Sequence, residues 1–151
     1  YIVDTNCDKD FRRDRAGAIN IVPTSSGASE ALEAVVPKIA GKTNAMAMRI
    51  PVAVGSIIDF TFVSSRQTSV EEVNGIIKEY ASREKWKDIL EASEEELVSS
   101  DIIKNPHGCI VDLALTKVAN GNLVKIMAWY DNEWGYVNML LKHVVEVAKL
   151  L

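Results

Sequence analysis

Apolar positions recur along the chain at two periods, and each predicts its own kind of element. In ASEALEAVVPKIA, Ala28, Leu32, Val35 and Val36 share one face at helical spacing, so a short helix is expected there. Ser26 stands before it as the expected N-cap, and Pro37 and Gly41 close it. AMAMRIP (45–51) and VGSIIDFTFV (54–63) are short apolar runs bounded by turn residues, which predicts two strands. Thr68-x-x-Glu71 has the form of a capping box opening a helix to about Trp86. Val73, Ile76, Ile77 and Tyr80 form its apolar stripe, and Glu79 and Arg83 an i,i+4 pair on its wet face.

Cys109–Thr116 and Leu123–Tyr130 read as strands joined by Ala119-Asn120-Gly121-Asn122, an Asn-Gly hairpin signal. The second carries Val124, Ile126 and Ala128 on one face and Met127 and Trp129 on the other, so both faces need cover. Glu133–Leu151 is predicted helical, with Val137, Leu140, Leu141, Val144, Val147 and Ala148 on its apolar side. The order coil–α–β–β–α–β–β–α predicts an α+β fold. Its sheet is expected to be mixed and largely antiparallel, with helices on one face and the other face available for subunit contact. A single domain is expected over 1–151, with an irregular N-terminal arm over 1–23.

That arm has no sustained period, and its charges are dense: Asp4, Asp8, Asp10 and Asp14 against Lys9, Arg12, Arg13 and Arg15. Long irregular segments in compact proteins tend to serve function. The stretch 69–104, with ten acidic and five basic residues, reads as a solvated face. Over all 151 residues the net charge is −4, which argues against nucleic acid held by phosphate neutralisation. With 48% hydrophobic and 25% charged residues the composition is that of a folded globular chain. No apolar run reaches the length of a membrane span, and two cysteines are too few for a disulfide framework. A soluble, intracellular protein is expected.

The most informative local feature is Thr24-Ser25-Ser26-Gly27 before a helix. Unpaired N–H groups and the positive end of the helix dipole attract an anion there, and a glycine lets it come close. The plain alternative is that Ser26 is simply a cap. Arg13 precedes this turn in the irregular segment, and Arg49 sits at the end of an apolar strand. A buried guanidinium needs a partner: an anionic ligand, or a carboxylate such as Asp59. In Trp129-Tyr130-Asp131-Asn132-Glu133-Trp134-Gly135-Tyr136, polar groups stand between a strand and a helix, a common place for ligand contacts. The alternative is that Asp131 or Asn132 caps the last helix. His107-x-Cys109 lacks a second His/Cys cluster, so no metal site is expected. His143 reads as a helix-surface or core histidine. Neither Cys7 nor Cys109 stands in an activated context, and there is no glycine-rich phosphate loop.

These segments resemble the C-terminal catalytic domain of the glyceraldehyde-3-phosphate dehydrogenases. FRRDRAGAINIVPTSSGASEAL resembles the family's long loop running into its phosphate-binding turn and first helix. MRIP is similar to the family's (L/F)RVPT, and WYDNEWGY to its C-terminal signature; the likeness covers essentially the whole chain. Erythrose-4-phosphate dehydrogenases share these motifs. By the resemblance, Ser26 and Gly27 match a Thr-Gly pair that binds the inorganic phosphate, assisted by Arg13, and Arg49 matches the arginine gripping the substrate's own phosphate. Asn132 matches the asparagine on the nicotinamide carboxamide, with Tyr136 close by. The nucleophilic cysteine, its histidine and the NAD-binding Rossmann domain would lie upstream, so none of Cys7, Cys109, His107 or His143 takes a catalytic role.

The resemblance implies a cytoplasmic glycolytic enzyme that uses NAD, glyceraldehyde-3-phosphate and inorganic phosphate. A cysteine thiolate attacks the aldehyde, a histidine takes the proton, hydride passes to NAD, and phosphate releases the acyl group as 1,3-bisphosphoglycerate. It implies a homotetramer whose arm packs near a neighbour's cofactor pocket, or a chain completed by a separate N-terminal half; alone, the chain is expected to be inactive. The alternative is a truncated or split non-enzymatic assembly module. The chain departs from the family in carrying Ser26 for threonine, and Val52 and Val54 where Thr and Asn are frequent.

Overall fold

The computed structural model describes residues 3–5 and 10–151, so Cys7 lies outside the described residues. The chain divides into two compact units, Tyr1–Val52 and Ala53–Leu151.

The first unit is built on a two-stranded ribbon. β1 (Val22–Ser25) pairs antiparallel with β2 (Met46–Arg49), with Val22 opposite Arg49 and Ser25 opposite Met46. β1 begins inside the segment read as irregular. Pro23 hid it: proline lacks the N–H of a ladder and is tolerated on an edge, which both strands of a ribbon are. α1 (Ala28–Val35) follows, then a 3₁₀ turn at Pro37–Ile39. The arm before β1 is tied by local bonds. Thr5 N–H donates to the Asp14 carbonyl at 2.8 Å, and Ala16 N–H to Asp4 Oδ1 at 2.7 Å. Asp14, Ala16 and Val22 are buried.

The second unit is a four-stranded mixed sheet in the order β3 (Ser56–Val63), β6 (Leu123–Tyr130), β5 (Cys109–Ala119), β4 (Leu90–Ser93). Three strands run antiparallel, and β4 joins β5 in parallel. β4 lies within the acidic run read as solvated, yet Ser93 is buried and Glu91 accepts a bond from Asn105 Nδ2 at 3.0 Å. α2 (Val70–Ser82) covers β4 and β5, and its Asn74 Nδ2 donates to the Leu113 carbonyl at 3.0 Å. The core is Val111, Leu113 and Ala128, backed by Ile77, Leu90 and Ile126. Val73 of the expected stripe is buried, whereas Ile76 and Tyr80 stay exposed. The fold is α+β, with a mixed and largely antiparallel sheet.

Asn120 and Gly121 have φ of 51° and 72°, and Asn122 N–H closes onto the Ala119 carbonyl at 3.2 Å, so Asn-Gly makes the hairpin turn it predicts. α2 is capped by Ser69, one residue after Thr68; its side chain accepts the N–H of Glu72 at 3.2 Å. It ends at Ser82 rather than near Trp86, and the Glu79–Arg83 pair is present at 2.7 Å. α3 (Trp134–Ala148) closes the unit.

Candidate phosphate and carboxamide sites

In Tyr1–Val52 the turn after β1 gathers the first set of predicted residues. The Arg13 guanidinium reaches Ser25 Oγ at 3.4 Å. Asp10 holds the same arginine: its Oδ2 lies 3.3 Å from Arg13 Nε, and its Oδ1 accepts the N–H groups of Arg12 and Arg13 at 3.1 and 3.2 Å. Asp10 and Ser25 therefore belong to this cluster and were missed as site residues. Only the local Asp-x-x-Arg spacing could have pointed to Asp10.

Ser26 is not the N-cap of α1. Gly27 occupies that position, and the Ser26 hydroxyl accepts the N–H of Ala28 at 3.2 Å, one residue short of a capping bond. No side chain caps α1 from its N-cap position, and with the Ala28 N–H taken by Ser26, the N–H groups of Ser29 and Glu30 remain open to an anion. Gly27 has an ordinary φ of −83°, and a Cβ built there meets nothing among the described residues within 4 Å. Neither backbone nor packing demands glycine there, and the space is free. The hydroxyls of Thr24 and Ser29 on either side are buried without a partner among the described residues.

Arg49 lies at the other end of the ribbon, three pairs from Ser25, or about 10 Å at strand rise. It is exposed and forms no ion pair among the described residues. Asp59, weighed as its structural partner, instead pairs with Lys125, whose ammonium holds the carboxyl below its usual range.

In Ala53–Leu151 the WYDNEWGY segment is the junction between β6 and α3. Its two polar residues are engaged differently, and neither is the N-cap of α3, a position that Glu133 takes. Asp131 is buried, and its Oδ1 gathers the N–H groups of Glu133 and Trp134 at 2.9 and 2.8 Å, while Oδ2 accepts that of Lys104 at 2.8 Å. Burial opposes its ionisation, but the three N–H donors outweigh that and hold its pKa below the ordinary value. Asn132 is exposed, and its Oδ1 accepts the N–H of Gly55 at 3.0 Å. Tyr136 sits in the first turn of α3, 66% exposed. Trp129 Nε1 donates to buried Asp112 at 3.2 Å. Lys104 and Gly55 had no sequence signal, because each meets this segment only through the fold.

Burial pushes the Cys109 thiol up, which works against a thiolate at neutral pH. His143 is exposed on α3. Among the described residues no three His, Cys, Asp or Glu side chains converge to hold a metal, and no helix is long and apolar enough to cross a membrane.

The family described as "Glyceraldehyde 3-phosphate dehydrogenase, C-terminal domain" matches residues 2–132. The chain is 49% identical over 133 residues to "Glyceraldehyde-3-phosphate dehydrogenase 2" of Streptomyces arenae, covering 88% of this chain and 39% of that protein. It is 46% identical over 143 residues to the glyceraldehyde-3-phosphate dehydrogenase of Mycobacterium avium, covering 95% of this chain and 42% of that protein. It thus spans about two fifths of the length of these relatives. Two of the motifs on which the resemblance rests, FRRDRAGAINIVPTSSGASEAL and MRIP, lie within residues 2–132, as do the first four residues of WYDNEWGY, and the chain belongs to the glyceraldehyde-3-phosphate dehydrogenase C-terminal domain family.

Proposed function

We propose that this chain is the phosphate-binding part of a phosphorylating, NAD-dependent glyceraldehyde-3-phosphate dehydrogenase working in cytoplasmic glycolysis. The observation that carries the reading is the ribbon of the first unit. Arg13 and the uncapped start of α1 stand at one end and Arg49 at the other, about 10 Å apart along the strand. That separation is of the order required by phosphates at the two ends of a three-carbon chain. In this reading Arg13, Ser26 and Gly27 take the inorganic phosphate, and Arg49 takes the phosphate of glyceraldehyde-3-phosphate. Guanidinium pairs phosphate with charge-assisted bonds about twice as strong as neutral ones, and a helix N-terminus adds about 0.3–1 kcal/mol. Their contribution is orientation and charge compensation in advance of the reaction.

Asn132 and Tyr136 would meet the nicotinamide end of NAD, which supplies hydride acceptance when bound. A carboxamide whose oxygen is already engaged by Gly55 retains an NH2 to offer, and this fits a nicotinamide carbonyl. The catalytic cysteine and histidine come from outside this chain, so the chain alone has no dehydrogenase activity. Its protein partners are further copies in a homo-oligomer, or a separate N-terminal half.

Isothermal titration of the chain with inorganic phosphate tests the site. Arg13→Ala and Arg49→Ala are each expected to weaken phosphate binding by about tenfold, the loss of one charge-assisted contact. Unchanged affinity in both variants would sink the reading. A second reading, a non-enzymatic assembly module, is favoured by apolar groups left exposed in Ala53–Leu151, among them Ile58, Phe60, Leu140, Leu141 and Val144. Sedimentation separates the two. A chain that self-associates normally, with or without Arg49, and binds no phosphate is the module; phosphate affinity that depends on Arg49 marks the enzyme.

A further inference from the structure

We infer that the backbone N–H of Gly55 is a positioning group for Asn132, fixing its carboxamide with the NH2 outward as a hydrogen-bond donor. The inference rests on the reading of Asn132 as a nicotinamide contact and adds the element that aims it. All the residues concerned lie within Ala53–Leu151.

Ser56 and Tyr130 form the last pair of the β3–β6 ladder. One residue beyond it, Gly55 donates its N–H to Asn132 Oδ1 at 3.0 Å, so a side chain supplies the next rung where the backbone has turned away. A backbone N–H can only donate. The carboxamide atom facing it is therefore the oxygen, and the nitrogen takes the opposite direction. Among the described residues Asn132 has no other side-chain hydrogen bond, and it is exposed, so the NH2 is available.

Position 55 is itself held in place. Its φ is +96°, and a Cβ there would stand 3.0 Å from the Ser99 carbonyl oxygen and 3.2 Å from Ile102 Cδ1. Glycine is thus required on two counts, conformation and space. On the other side Asp131 pins the backbone before Asn132 through the N–H groups of Lys104, Glu133 and Trp134. Asn132 is anchored at its main chain by one neighbour and at its side chain by another. A donor presented this way selects a ligand atom that accepts, such as the carbonyl oxygen of a carboxamide.

Two variants test the idea. Asn132→Asp keeps an oxygen toward Gly55 and removes the NH2, whereas Asn132→Ala removes both. Amide hydrogen exchange of the chain, followed by NMR, is expected to show Gly55 exchanging about tenfold faster in Asn132→Ala. In Asn132→Asp it should stay within about twofold of the parent. In the dehydrogenase carrying this domain, NAD affinity measured by equilibrium binding should fall about tenfold in both variants. Equal Gly55 exchange in the parent and Asn132→Ala overturns the positioning role whatever NAD does. Exchange as expected with undiminished NAD affinity in Asn132→Asp overturns instead the nicotinamide contact on which the role depends.

Discussion

Asp131 illustrates how much one side chain can organise. Removed from water, its carboxylate is stabilised by three backbone donors that burial would otherwise leave unpaired. Its pKa is lower in the folded chain than in the unfolded one, where it is about 3.9. The stabilisation is therefore fully present above pH ~4 and is lost as pH falls through the lower, folded value. Asp131→Asn is expected to cost about 1.5–3 kcal/mol at pH 7, read by urea unfolding, and the gap from the parent should narrow by pH ~3. A gap of equal size at both pH values would mean that the charge is not what holds the junction. In sequence Asp131 and Asn132 are equal candidates to serve the start of α3; the N-cap position falls to Glu133, and of the two it is Asp131 that takes the N–H groups there. The choice depends on Lys104, 27 residues away, and on Gly55, 77 residues away, and no local spacing encodes either. The Ser-Gly turn was legible as a candidate because its chemistry is local to one helix start, whereas Arg13 reaches Ser25 across twelve positions and needed the fold to bring it there. The Ser26 cap was misplaced because Gly27 took the position itself.

Among the elements, the start of α2 separates two adjacent hydroxyls that look equivalent in sequence. Ser69 accepts the Glu72 N–H, while Thr68 donates its hydroxyl to the Glu72 carboxylate at 2.8 Å. Arg66 pairs with the same carboxylate and lowers its pKa. The capping box was read one residue early because Glu71 and Glu72 stand side by side, and Arg66 and Thr68 engage the second. Ser69→Ala is expected to lower stability by about 1 kcal/mol and Thr68→Ala by less, measured as shifts in thermal unfolding. Equal losses would reassign the cap. Two strands escaped notice for opposite reasons: β1 contains a proline, and β4 lies in a run of acids. Four residues are too few for alternation to outvote such a residue, whereas β6 and α3 are long enough for their periods to emerge.

For the whole molecule, element order and apolar patterning were sufficient for the fold class, because sequential strands with short connections pair antiparallel. What they could not reveal was the parallel strand β4, whose partner is chosen by burial of Leu90 and Ala92 against the core rather than by adjacency. Such a strand sits at the sheet edge and must find its place across the intervening residues 94–108, a non-local pairing. Cys109, opposite Leu90 at the first rung of that pairing, turns this topology into a stopwatch. Its half-buried thiol packs against the same core as Leu90 and Ala92 of β4, so a water-soluble reagent is expected to meet it freely when β4 swings away from β5. With Cys7 replaced by serine, labelling is expected to run at least about tenfold slower than for a free cysteine, and to report how often the edge strand lets go before the rest of the sheet unfolds. A rate equal to the free amino acid's would reveal a strand that is already loose at rest.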